Sequence, residues 1–437
     1  MKRKWLIAGI LIVAEILLCG GIILISWVGI DKLKEDGLRV RIFHADLVSA
    51  EAEEKWQFST NGTTVLVVES SAGDISIVGG DSDQVSVTAH KTAWHSTNEK
   101  AQAELEEMNI TVTQTGNNIT VRYQQNPKVV IAGSIRNDKV DFSITVPTDT
   151  AVTTSTSSGD VFLTDSIGEA DLHSEFGDIT ASNVTGSLIV DSNSGEIVAR
   201  DISAGKKDID LRTEFGNIEL ENSTGDNIEV RTNSGRVELI EVDASNNIMI
   251  HSDFGKIEFE NGKASRLSIE ANSGSISLAN LKINGLVDVH SDFGEITLKE
   301  VVAGSYDLDT NSGELTVEVA SGSIIAHSEF GDIKITEAKN ADLDLDTNSG
   351  TIEFIGSLGD GPHTLNTEFG NIRLEIPEET ALTFEIETDF GKIRSDFPVT
   401  LSGELEDDHW VGTINGGGSQ LTAKTNSGQI SLEIIEQ

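Results

Sequence analysis

The chain is 437 residues long, and 72 acidic against 31 basic side chains give it a formal net charge of −41. Such a charge is repelled by nucleic-acid phosphate and by bare anionic lipid, which argues against both as direct partners of the folded part. A hydrophobic fraction of only 38% would suit a disordered chain, but the apolar residues recur at regular intervals and 41 glycines against 5 prolines fit many tight corners, so order is expected.

Residues 1–30 read as a short cytoplasmic tail and a transmembrane helix. From Trp5 to Ile30 the chain is apolar apart from Glu15, Ser26 and small residues, long enough to cross a bilayer. Lys2, Arg3 and Lys4 precede the run and favour a cytoplasmic N-terminus, although Lys32, Lys34, Arg39 and Arg41 come after it. The run is long for the apolar stretch of a cleaved signal, and no small-x-small site comes after it. Leu18 before Cys19 fits poorly with lipidation, which wants a small residue there. The expectation is a single-pass protein of the cytoplasmic membrane with its repeat region extracytoplasmic. Cys19 is the sole cysteine, so the outer part can form no internal disulfide and no cysteine metal site. Residues 31–55 read as a charged stalk.

Residues 56–150 form an irregular β region. Ser71-Ala72-Gly73-Asp74-Ile75 spells a corner, while Val85–Thr88 and Ile119–Val121 alternate like strands. Asn98 to Met108 has helical composition, with Glu104, Glu106 and Glu107, and predicts a short inserted helix capping the N-terminal end of the repeats.

Residues 151–437 are a repeat array. A corner glycine preceded by Ser-Ser, Asn-Ser, Glu-Phe or Asp-Phe returns at Gly159, Gly177, Gly195, Gly216, Gly235, Gly255, Gly274, Gly294, Gly313, Gly331, Gly350, Gly370, Gly391 and Gly428. Consecutive glycines stand 18 to 21 residues apart until the longer gap before Gly428. A period this short and regular means stacked coils, so the fold class is all-β: a single-chain β-solenoid with about one coil per 18–21-residue unit. Loop residues such as Asn183-Val184-Thr185-Gly186 supply a second corner half a unit later. Glu404 to Ser419, with Trp410 and a triple glycine, departs from the pattern and reads as an irregular penultimate coil.

Counting from each glycine sorts the side chains into columns. Five before it stands an aliphatic, as at Leu172, Val190 and Leu211; three before, a Ser or Thr, with Ala271 excepted; one before, Phe or Ser. Alternation places these three on the inner face, so the Phe/Ser column is expected to fill core. Two after comes an aliphatic such as Ile179 or Ile197, which slips the alternation by one and requires a turn at the glycine. The outer position two before alternates acid with Asn, as Glu175, Asn193, Glu214 and Asn233, which keeps like charges apart if one unit makes one coil. Four before, also outward, His251, Glu270, His290, Asp309, His327 and Asp346 alternate histidine with acid. That stripe reads first as opposite-charge register, and second as a pH-sensitive or zinc-binding line.

Asp253-Phe254-Gly255, Asp292-Phe293-Gly294 and Asp389-Phe390-Gly391 spell the magnesium-binding tripeptide of kinases, but no glycine-rich loop, strand lysine or His-Arg-Asp accompanies them. Carboxylates repeated in every second coil single out no catalytic pair for glycoside cleavage. No catalytic residue and no cofactor is expected. Weak calcium binding to the outward acids is possible, although the Gly-Gly-x-Gly-x-Asp repeat of calcium β-rolls is absent.

Gly73-Asp74-Ile75-Ser76-Ile77, Val140-Asp141-Phe142-Ser143-Ile144-Thr145-Val146-Pro147 and Ser157-Ser158-Gly159-Asp160-Val161 with its successors resemble the putative-adhesin family of bacterial β-strand repeats, a domain family of unassigned function. The resemblance covers roughly Trp56 to the C-terminus and implies a bacterial envelope protein with no family catalytic residues. The function expected is a membrane-anchored, adhesin-like binding or scaffold module for an envelope polymer, peptide or protein. The alternatives are an envelope-stress sensor of cationic peptides and, third, a polysaccharide-processing enzyme.

Overall fold

The computed structural model describes residues 47–125, 138–402 and 406–435. The expected membrane segment, residues 5–30, lies outside them; among the described residues no helix is long and apolar enough to cross a membrane. The compact unit that holds the repeats begins at Val48. Val48–Ser59 is a strand paired antiparallel with Gln84–His95, so the last part of the segment read as a stalk belongs to the fold. Its charges misled because Glu51, Glu53 and Lys55 occupy the exposed positions of an edge strand, while Trp56 and Phe58 pack against the core.

Each repeat unit contributes two strands joined at its corner glycine, as in Ala170–Phe176 and Ile179–Thr185. Both pair in parallel with the same strands of the next unit, Leu188–Ser194 and Ile197–Ser203. One unit is therefore one coil, and the coils build two parallel stacks facing each other. Leu172, Val190, Leu211, Val230 and Ile250 line one inner face, and Ile179, Ile197, Ile218, Val237 and Ile257 the other, none more than 2% exposed. Burying each such aliphatic contributes roughly 1.5–3 kcal/mol. The core is continuous because every coil repeats the same inward positions.

The second corner is turned by a left-handed residue. Asp165, Asn183, Asp201, Asn222, Glu241, Asn261, Asn280 and Glu300 all have φ between 46° and 58°. Asn and Asp tolerate that region because their short side chains bond locally. Here they also bond across coils: the Asn183 amide donates to Asp165 Oδ1 at 2.5 Å. Val319 takes the same conformation at φ 63° with a β-branched side chain, which is strained.

Both ends of the stack are threaded out of chain order. The coil containing Val65–Ser70 and Ile75–Gly80 lies between one formed by Asn118–Tyr123 and Lys139–Pro147 and one formed by Ala151–Thr156 and Val161–Ser166. At the other end the C-terminal coil, Ser419–Ser427 and Gln429–Ile434, lies between the coil of residues 363–376 and that of 382–395. Arg373 fastens this insertion, pairing with Glu353 on one side at 2.6 Å and Glu433 on the other at 2.9 Å.

Antiparallel strands then close the edges that a parallel stack would leave open. At the N-terminal end Ile110–Thr115 and Gln84–His95 do this. The expected helix forms over Asn98–Glu107, capped by the Thr97 side chain, and buries Ala101 and Leu105 against the neighbouring strands. At the C-terminal end His409–Ile414 runs antiparallel to Leu382–Glu387. The expectation of an irregular penultimate coil over Glu404–Ser419 is corrected accordingly: its described part is an end cap, and Trp410 packs half-buried on the core.

Candidate functional site: an exposed phenylalanine and carboxylate edge

The corner is built from a glycine column and a hydroxyl column. A Cβ on Gly294 would lie 2.0 Å from the carbonyl oxygen of Gly274, so backbone must approach backbone where no side chain fits. Close approach, more than left-handed backbone, is what demands glycine: in the array's corner column from Gly159 to Gly428 only Gly159, Gly177, Gly255 and Gly274 have positive φ, from 138° to 159°, and Gly73, at the N-terminal end of the column, has a φ of 111°. The inward hydroxyl three residues earlier donates to the glycine carbonyl of the coil before. Ser174 bonds Gly159 at 3.1 Å, Thr232 bonds Gly216 at 3.1 Å, and Thr347 bonds Gly331 at 3.1 Å. Ser252 and Ser291 have buried hydroxyls without such a partner.

This packing leaves no interior for the residue just before the glycine. The expectation that Phe176, Phe215, Phe254 and Phe293 fill core is overturned: their exposures are 60%, 60%, 61% and 61%. Phe330, Phe369 and Phe390 are likewise 61%, 60% and 80% exposed. The inward run ends at Ser174, and the pairing passes from Ser174 with Ser192 directly to Phe176 with Ser194. Residue 175 drops out of the ladder, so Glu175 and Phe176 both face solvent. The core rings are others, among them Phe142, Phe259, Phe354, Phe384 and Tyr306.

The rings form one column in which a serine separates each from the next. Phe176, Ser194, Phe215, Ser234, Phe254, Ser273 and Phe293 succeed one another coil by coil, and Ser312, Phe330, Ser349, Phe369 and Ser427 continue the line. In the sequence the alternation breaks, since the corners of Phe369 and Phe390 are consecutive. In space it is restored: Gly391 stacks on Gly428 and Gly428 on Gly370, which places Ser427 between the two rings. The preceding residue alternates in step, acid beside each Phe and Asn beside each Ser. Asn272 donates to Asp253 at 2.8 Å and Asn311 to Asp292 at 2.9 Å, so amides hold the carboxylates in line.

The histidine stripe lies on the outer face nearby. His251, Glu270, His290, Asp309, His327 and Asp346 stand directly over one another. Nδ1 of His251 is 3.5 Å from Glu270, that of His290 is 2.8 Å from Asp309, and that of His327 is 3.1 Å from Asp346. The column extends upstream through His173, Asp191, Arg212 and Arg231, which counting back from each glycine would have found. Beside it Asp307 is held above the usual carboxylate range by partial burial and by Asp288 and Asp309. Among the described residues no group of three or more His, Cys, Asp or Glu stands where it could hold a metal ion.

The sequence pattern of the Toastrack DUF4097 family matches residues 63–262 and again 243–433. The chain belongs to the Toastrack family. Each Toastrack match contains one of the two out-of-order ends. Two solved structures are similar to parts of this Toastrack chain. One is described as a putative cell adhesion protein from Clostridium sporogenes, with 10% identity over 88% of this chain and 100% of that one and a TM-score of 0.17. The other, a putative adhesin from Bacteroides fragilis, has 15% identity over 70% of this chain and 97% of that one and a TM-score of 0.22. No curated protein matches. The family match carries the assignment.

Proposed function

We propose that this Toastrack chain is a binding or scaffold module of the bacterial envelope, and that the phenylalanine and carboxylate edge is its contact surface. The observation that supports the reading is the exposed column itself. Exposing a large ring opposes folding, yet the same ring is presented at alternate coils and the alternation survives a change in chain order. A surface kept in register along a rigid stack suits recognition of an extended partner, because each coil repeats the same contact. Catalysis needs a singular constellation, and the columns here repeat without one. The names of the two adhesin-like structures agree with a binding role. The N-terminal run Trp5–Ile30, led by Lys2, Arg3 and Lys4, would anchor the module in the cytoplasmic membrane with the stack outside.

The test is co-sedimentation of the full chain with isolated envelope fragments, beside a variant in which Phe254, Phe293 and Phe330 are replaced by the serine of the intervening coils. Retention of the native chain and loss of retention in an equally folded variant is expected. Equal retention of both would assign binding to another surface.

A further inference from the structure

The period of the edge points to the geometry of its partner, an inference that rests on the binding role above. Successive coils in a parallel stack stand about 4.8 Å apart, so rings at alternate coils recur every ~9.6 Å. An extended peptide in the polyproline II conformation completes a turn in three residues with a rise of about 3.1 Å each, which returns the same face every ~9.3 Å. The two repeats agree to within about 0.3 Å per turn, so such a peptide can stay in register over several rings. A peptide in a β-strand presents one face every second residue, or about every 6.8 Å, and falls out of step at once.

Charge selects the partner's side chains. Each ring is preceded at its corner by a carboxylate, Asp253 before Phe254, Asp292 before Phe293 and Glu329 before Phe330, within a chain whose net charge is −41. A second copy of the same edge would set carboxylate against carboxylate. A basic side chain instead meets both features at once, its apolar stem or cation on the ring face and its charge at the carboxylate. The serine coils between rings leave gaps for the peptide backbone, and the asparagines that bond Asp253 and Asp292 fix the carboxylates at the same repeat.

We infer that the phenylalanine and carboxylate edge binds a cationic peptide in polyproline II conformation with a basic residue at every third position. Aromatic columns are suited to this conformation because it is already extended before binding and loses little freedom.

The inference is tested by titrating the full chain, at fixed moderate salt, with synthetic Lys-Pro-Pro repeats and with Lys-Pro repeats carrying the same number of lysines. The three-residue repeat is expected to bind roughly tenfold more tightly, several weak ring–cation contacts being made in register. The Phe254, Phe293 and Phe330 to serine variant, checked for unchanged circular dichroism and melting, should bind both peptides alike. Equal affinity of the native chain for the two repeats, or a preference that persists in the variant, would overturn the inference and leave the envelope co-sedimentation result standing. Self-association of the native chain that disappears in the variant would also overturn it, in favour of a second copy as the occupant.

Discussion

Gly391 rests on Gly428: a Cβ on Gly391 would lie 1.8 Å from the Gly428 carbonyl oxygen, and one on Gly428 would lie 1.8 Å from that of Gly370. The last coil of the chain is thus the inner neighbour of a coil made before it. Removing residues 419–437 should leave Leu382–Thr388 and Lys392–Ser395 without their parallel partners. Limited proteolysis should then cut between residues 377 and 418 while coils before about Gly313 stay resistant, since each coil touches only its neighbours. Unchanged resistance of the 382–395 segment would contradict the threading.

The glycine column predicts a sharp contrast between substitutions. Gly294→Ala puts a methyl group against backbone at 2.0 Å, which cannot yield as a side chain can. It should destabilise by about 1–3 kcal/mol or more. Gly80→Ala meets only a Thr145 methyl group at 3.7 Å and should change stability by less than about 0.5 kcal/mol. Denaturant unfolding of both variants measures the difference.

Val319 is a site where the structure can be improved. Its φ of 63° is one that asparagine holds at the same corner in other coils, as at Asn261 and Asn280. Val319→Asn should relieve about 1 kcal/mol of left-handed strain, read as a raised unfolding midpoint. A lowered midpoint would mean that packing of the valine outweighs the strain.

His363 makes stability depend on pH. It is 1% exposed, and burial holds its imidazole below the ordinary value, against the opposing pull of Asp342 and of a backbone hydrogen bond. The unfolded chain, with an ordinary histidine near 6.5, takes up a proton first as pH falls. The stabilisation is therefore full above about pH 6.5 and is lost as pH drops through the lower folded value. Replacing His363 with Gln, which keeps an acceptor for the Leu343 amide, should flatten this part of the profile. Unfolding free energies of both proteins between pH 7 and 5 give the comparison.

Much of the fold was legible in the sequence. The glycine spacing gave the coil, and the aliphatics five before and two after each glycine gave the two inner faces, because period-two alternation holds inside each strand. It failed at the corner. Phe293 shares the parity of Val289 and Ser291, but the chain turns between Ser291 and Phe293, so strict alternation assigned an outward ring to the core. The cue lay in the Ser/Thr column: a hydroxyl that must reach a glycine carbonyl marks the last inward position. The reversed order of the end coils left one trace, two consecutive Phe corners at Gly370 and Gly391, but local pattern cannot show which coil a distant segment will join. Edge strands such as Val48–Ser59 hid behind charges that protect them from further pairing.

The central claim is that the corner rings face outward and form the surface a partner covers. Hydroxyl-radical footprinting of individual phenylalanines, alone and with envelope fragments, measures this most directly. In the free protein Phe254, Phe293 and Phe330 should be oxidised rapidly and Phe142, Phe259 and Phe354 hardly at all, in line with exposures of 61% against 1% or less. With envelope fragments present, the corner rings should become protected while Phe162, 41% exposed on another part of the surface, keeps its rate. Slow oxidation of the corner rings in the free protein, or protection that falls on Phe162 and spares them, would contradict the account.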